Sequence, residues 1–148
     1  MRVSLQAQYA IAGLFDLAYN GRGEPIQVRV IGERQGIPPR YLEQIFQRLR
    51  KADLVTGKRG PGGGYVLAQT PAVITLREIV EAVEGAPSAW VATEPGGTAT
   101  PHRPDFLWPR LAEQFAAALA QTTLEGLCRD AERATVRRAD AESALYYI

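Results

Sequence analysis

At 148 residues and 46% hydrophobic content, the chain holds one domain, or one domain with an appendage, and is not disordered throughout. Its net charge of +1 conceals an asymmetry: residues 1–69 carry ten Lys/Arg against five Asp/Glu, residues 70–148 seven against eleven. That division suits a polyanion-binding first half joined to a second half with another task. No run of about 18 apolar residues marks a membrane span. The N-terminus lacks the apolar centre of a signal peptide, and the single cysteine, Cys128, excludes an internal disulfide and any all-cysteine metal site within one chain. A cytoplasmic protein without membrane contact is expected.

Residues Ser4 to Tyr19 predict a first helix, with Ser4 as its N-cap and Leu5, Tyr9, Ala12, Leu14 (or Gly13), Leu17 and Ala18 on one apolar face. Asn20-Gly-Arg-Gly-Glu-Pro25 breaks it. Ile26 to Val30 reads either as a strand or as the lead into a helix; a short helix at about Val28–Gln35 is preferred, because Gly36-Ile37 then makes a tight turn. Gly32 inside it costs about 1 kcal/mol against alanine, unless it admits a close neighbour. Pro38 to Lys51 predicts the next helix, with Leu42, Ile45, Phe46 and Leu49 as its apolar stripe. Both prolines suit its first positions, where a missing N–H costs nothing. Arg40, Tyr41, Glu43, Gln44, Gln47, Arg48 and Lys51 fall on the opposite, polar face. Val55–Lys58 and Gly64–Leu67 can pair as a hairpin around Gly60-Pro-Gly-Gly-Gly64, with Lys58 and Arg59 as cations at its tip. The pair of helices alone is a weak signal; the basic glycine-rich hairpin after it points to a winged helix-turn-helix.

The run from Tyr41 through Arg59-Gly-Pro-Gly-Gly-Gly-Tyr65 strongly resembles the Rrf2 family of bacterial transcription regulators, the IscR/NsrR/CymR type. Tyr9-Ala10 and Glu33-Arg-Gln-Gly-Ile37 match the same pattern, and the likeness covers about residues 1–85. The resemblance implies a mainly α, homodimeric winged helix-turn-helix protein with a two-stranded β wing and a long C-terminal dimerisation helix. Its partner would be a double-stranded DNA operator of partly palindromic sequence.

Further along, Thr75 to Gly85 predicts a helix with Leu76, Ile79, Val80 and Val83 on one face. Thr75 and Glu78 form its capping box and Gly85 its stop. Ala86 to Leu107 has no period and reads as a long loop. A helix at Trp108–Gln121 places Leu107, Leu111, Phe115 and Leu119 along one stripe beside Ala112, Ala116 and Ala118. In the family, this helix crosses its counterpart in a second subunit. A last helix at about Leu124–Arg133 carries Cys128, and a charged, helix-prone tail ends in Leu145-Tyr-Tyr-Ile148. The expected division is a DNA-binding domain at 1–85, an effector or sensor loop at 86–107, and a dimerisation helix with helical tail at 108–148.

In the major groove, Glu43 can accept from cytosine N4 and Gln44 can pair with adenine; the family's base-reading glutamate matches Glu43. Arg40 can reach guanine or a phosphate, although relatives often carry a small polar residue there. Tyr41, Arg48 and Lys51 suit the DNA backbone, and Arg59 a narrow A·T minor groove. Lys58, Gly60 and Tyr65 complete the wing's share, and Arg2, Ser4 and Gln6 can add phosphate contacts from the start of the first helix. The alternative for each residue is a solvated surface group.

Many relatives hold an iron–sulfur cluster through three cysteines in the loop before the dimer helix. Here Ala86–Leu107 has none. Asp105 stands near the place of a histidine ligand used by one branch, and Gln8 stands where others recruit a ligand from the first helix. Cluster iron needs thiolate donors, so a cluster-free member without cofactor or metal is expected. Trp90, His102, Asp105, Phe106 and Trp108 are candidates for a small-molecule effector pocket, with ordinary packing or a loose loop as the alternative. Cys128 reads as a redox-reactive thiol or as a small buried hydrophobe beside Leu124 and Leu127. A co-regulator protein is a further candidate partner. No nucleophile–base pair, metal constellation or phosphate loop suggests an enzyme. The expected function is a transcriptional regulator, in the first instance a repressor. The alternatives are an interaction adaptor with a vestigial DNA face and a regulator with an unusual metal or cluster site.

Overall fold

Helix α1 (Leu5–Asn20) begins where a side chain can satisfy its open first turn: the Ser4 hydroxyl accepts from the Ala7 amide at 3.0 Å. The computed structural model describes residues 3–91 and 100–139. Arg2 and the Leu145-Tyr-Tyr-Ile148 terminus lie outside the described residues. Helix α1 is the central post, against which α2 (Val28–Gln35), α3 (Pro39–Lys51), α4 (Leu76–Glu84) and α6 (Leu124–Arg133) all pack. The α3 stripe of Leu42, Ile45, Phe46 and Leu49 is buried in one core with Ala10, Leu14 and Leu17 of α1, Ile31 of α2, and Ile79 and Val80 of α4.

The helix-turn-helix is set by two glycines. Gly36 takes the left-handed conformation (φ 68°) that ends α2, a geometry other residues adopt at a cost. Gly32 proves to be the close-approach glycine: a Cβ there would sit 2.7 Å from the Ile37 carbonyl oxygen, so the turn into α3 folds directly over it. A buried charge holds this unit to α1. Asp16 is 0% exposed, receives the Arg34 guanidinium through two hydrogen bonds (3.0 and 2.5 Å), and accepts a third from Gln35 at 3.0 Å. Nothing in the linear sequence marks Asp16, which lies on the face otherwise occupied by leucines.

Strands β1 (Val55–Lys58) and β2 (Gly64–Leu67) pair antiparallel, with Val55 opposite Leu67 and Lys58 opposite Gly64, over the expected spans. The hairpin is sewn to the segment before α2 by the reciprocal hydrogen bonds of Ile26 and Tyr65 (3.0 and 2.9 Å). That close pairing needs Gly64, where a Cβ would lie 2.4 Å from the Ile26 carbonyl. Tyr65 also sets its ring 5.0 Å from that of Phe46 in α3, so wing and helix are fixed relative to each other.

The second half adds three features that the sequence outline lacks. The aperiodic stretch after Gly85 contains a 3-10 turn, Pro87–Trp90, whose tryptophan donates Nε1–H to the Gly85 carbonyl at 2.8 Å. Trp90 stands edge-on to Phe115 of α5 (Leu107–Ala120), centroids 6.1 Å apart. The alanine edge of α5 meets elements of the same chain: α5 packs on α4 and the 3-10 turn, and Ala112 and Ala116 are its fully buried residues. Phe115 and Leu119 are half-buried with them, and only Leu111 of the proposed dimer stripe is exposed, beside Trp108. After α6, residues 134–139 form a strap across the end of α1 instead of continuing as helix. Arg138 lies 4.1 Å over the Tyr19 ring, Tyr19 donates its hydroxyl to the Val136 carbonyl at 2.7 Å, and Asn20 Oδ1 accepts from the Ala139 amide at 2.7 Å. No helix among the described residues is long and apolar enough to cross a membrane.

Candidate nucleic-acid interface

With its stripe buried, α3 leaves three exposed strips, because successive residues step round the axis by about 100°. Arg40, Gln44, Gln47 and Lys51 form the outermost ridge. Glu43 and Arg50 lean toward the wing, and Tyr41 and Arg48 toward α1. All are exposed, so the helix presents polar groups to solvent along its whole length. A ridge of this kind has the dimensions and donor–acceptor groups for a major groove.

Each flank borders a groove. On the wing side, a groove of about 520 Å³ is lined by Gln27, Val28 and Arg29 of α2 and its lead, Glu43 and Arg50 of α3, and Gly57, Lys58, Arg59, Gly64 and Tyr65 of the wing. Burial, with Glu43 nearby, pushes the Tyr65 hydroxyl above the usual phenol range, so it stays protonated and able to donate. The α1 side has a smaller, more apolar groove of about 330 Å³, lined by Leu5, Gln6, Tyr9, Tyr41, Gln44, Ile45 and Arg48.

The wing itself is anchored by Leu54 and Val55, both nearly inaccessible, and holds Lys58, Arg59, Gly60 and Pro61 out in solvent. Lys58, Arg59 and Arg50 pair with no carboxylate among the described residues, leaving these cations available to an external anion.

The structure therefore gathers Arg40, Tyr41, Glu43, Gln44, Lys51, Lys58, Arg59, Gly60 and Tyr65 on one surface. Three other candidates have work inside the chain. The Ser4 hydroxyl, besides capping α1, donates to the Glu84 carboxylate. Gln6 and Arg48 both donate to the Val83 carbonyl, at 3.1 and 3.2 Å, and so close the open C-terminal end of α4. Sequence reasoning misses Arg29 and Arg50 as interface candidates. Arg50 is findable from sequence, since it follows Glu43 by seven residues and shares its side of the helix; Arg29 is not, because only the folded wing brings α2 beside Lys58.

The sensing candidates remain dispersed. Trp90 is committed to Phe115 and the Gly85 carbonyl. Phe106 and Trp108 are exposed at the start of α5, with the Arg110 guanidinium 5.2 Å over the Phe106 ring. Asp105 pairs with Arg103 at 3.3 Å, and His102 is exposed. Cys128 is half-buried on α6, and burial raises its thiol above the ordinary range, which lowers the thiolate fraction at neutral pH.

Residues 3–130 match the family model described as Rrf2, iron-dependent transcriptional regulator. The chain is 37% identical over 134 residues to the HTH-type transcriptional regulator IscR of Klebsiella pneumoniae, covering 89% of this chain and 82% of that one. It is 36% identical to IscR of Escherichia coli K12, with coverages of 89% and 83%. Among solved structures, T. potens IscR superposes with a TM-score of 0.74 at 31% identity, covering 93% of each chain. CymR of B. subtilis, described as the global cysteine regulator, superposes with a TM-score of 0.71 at 30% identity, covering 87% of this chain and 97% of that one.

Proposed function

Because this chain belongs to the Rrf2 family of DNA-binding transcriptional regulators, we propose that it acts as a homodimeric, cytoplasmic repressor on a partly palindromic operator. The observation that carries the reading is the shared orientation of the α3 ridge and the cationic wing, locked together through Phe46, Tyr65 and Ile26. One α3 ridge reads bases through Arg40, Glu43 and Gln44 while the wing engages the adjacent backbone and minor groove through Lys58 and Arg59. A second copy doubles the contact and sets the spacing of the half-sites. The exposed apolar end of α5, with Phe106, Trp108 and Leu111, supports pairing through this helix.

The family's description names iron, and the donor set of this chain does not fit a cluster ligated by its own cysteines. The sequence contains one cysteine and one histidine. Cys128 sits half-buried on α6 rather than in the loop before α5, and no group of three or more His, Cys, Asp or Glu among the described residues could hold a metal ion. We therefore read the chain as a cluster-free regulator, controlled by a small molecule, a thiol event or a protein partner.

The test is selection of duplexes from a random pool by the purified full chain, followed by mass measurement of the complex. Enrichment of a two-part, inverted motif bound by two chains supports the reading, and an unenriched pool refutes it. Iron-dependent absorption in anaerobically purified protein would overturn the cofactor reading alone.

A further inference from the structure

The groove between α1 and α3 has a chemistry that duplex recognition does not account for. Its volume of about 330 Å³ lies at the small end of the range for small-molecule pockets. Buried Ile45 forms its floor, and Leu5 and Tyr9 of α1 face Tyr41 of α3 across it. Leu5 and Tyr41 are 59% and 64% exposed, so the rim keeps a large apolar area uncovered among the described residues. Two tyrosine rings, one from each helix, suit a flat aromatic body, which packs on ring faces and edges. Arg48 supplies the charge. Its Nη1 donates to the Val83 carbonyl at 3.2 Å, which tethers the guanidinium and leaves its other donors for a further acceptor. It pairs with no carboxylate among the described residues, and no Asp or Glu lines the groove. Glu84, at the end of α4, receives the Ser4 hydroxyl instead. One tethered cation beside an apolar, aromatic slot is matched by a monoanion with an apolar body, and a carboxylate meets the guanidinium fork through two parallel hydrogen bonds.

Resting on the cluster-free regulator reading above, and choosing the small molecule among its kinds of control, we propose that this groove is an effector site for a small aromatic monocarboxylate. The carboxylate sits on Arg48, and the ring lies over Ile45 between Tyr9 and Tyr41. The groove shares Tyr41 and Gln44 with the DNA surface. A bound acid therefore places a negative charge at the edge of that surface, where it repels phosphates, and it engages Tyr41 itself. Acid and duplex oppose each other, and by linkage each weakens the other by the same factor.

Calorimetric titration of the full chain with phenylacetate, 3-phenylpropanoate and indole-3-acetate, each beside its primary amide, tests the site. At least one acid should bind with a dissociation constant of about 1 mM or tighter, and its amide about tenfold more weakly. Arg48→Gln should remove that preference for the acid. Leu5→Trp, at an exposed position, fills the groove and should abolish binding of acid and amide alike. It keeps the test decisive if the Arg48 variant loses stability. The bound acid should weaken binding to the duplex selected by the wild type about fivefold or more, whereas acetate at the same concentration should leave it unchanged. No binding of any of the three acids at about 10 mM, equal binding of acid and amide, or binding that survives Leu5→Trp overturns the proposal. So does an acid that enters the groove without changing DNA affinity, which leaves a pocket but no effector. If the wild type selects no duplex, the operator reading fails, while the titrations without DNA still report on the groove.

Discussion

Removing either partner of the buried Asp16–Arg34 pair should cost more than any surface change, and the two losses should be unequal. Breaking a buried ion pair by deleting one member costs about 3–5 kcal/mol, because the remaining charge is left without a partner. Exposure decides which deletion is worse. The Arg34 side chain is 28% exposed, so in Asp16→Ala its guanidinium recovers water and the loss falls near the lower end, about 3 kcal/mol. Asp16 is 0% exposed, so Arg34→Ala strands a carboxylate held only by Gln35 and falls near the upper end, about 5 kcal/mol. Against a total stability of about 5–15 kcal/mol, either is a large fraction. Asp16→Ala should lower the thermal midpoint by about 6–12 °C, at roughly 2–4 °C per kcal/mol. Urea titration of both single variants and the double variant measures the losses and their coupling. Losses under about 1 kcal/mol, or a larger loss for Asp16→Ala than for Arg34→Ala, would refute the reasoning from burial.

Three further outcomes are expected. Glu43→Ala should relax discrimination at one base pair per half-site by about 1–3 kcal/mol and leave the salt slope in place; a uniform loss across sequences in competition binding would assign Glu43 to the backbone instead. Gly32→Ala gains up to about 1 kcal/mol of helix propensity but drives a methyl against the Ile37 carbonyl oxygen, an overpacking cost of about 1–3 kcal/mol. The net effect in denaturant titration should be destabilising, and a stabilised variant would show that the turn yields. The raised thiol of Cys128 predicts slow alkylation at pH 7, accelerating only above the ordinary thiol range, and Cys128→Ser should bind DNA like wild type; fast alkylation at neutral pH would restore it as a redox candidate.

Local signals carry the first half of the chain well. The α2 and wing spans, the stop at Gly36, and the Thr75 cap rest on interactions a few residues apart, so propensity and periodicity suffice to find them. What sequence could not show depends on separation in the chain. The Asp16–Arg34 link, the seam from Ile26 to Tyr65, and the closure of α4 by Gln6 and Arg48 each join residues at least 18 positions apart. The alanine edge of α5 is ambiguous for a related reason: it permits close helix approach without saying which helix approaches, and α4 of the same chain packs there. The interface is legible where it lies on α3 and the hairpin, and illegible at Arg29, which acquires its neighbours only on folding.

The central claim is that the α3 ridge and wing together recognise a particular duplex. Its most direct measurement is the affinity of the full chain for the selected duplex relative to a scrambled duplex of equal length and composition at about 0.15 M salt. Specific recognition of this kind predicts a preference of about 10³ or more. A ratio near one, with both duplexes bound, would reduce the surface to a general polyanion binder and contradict the account.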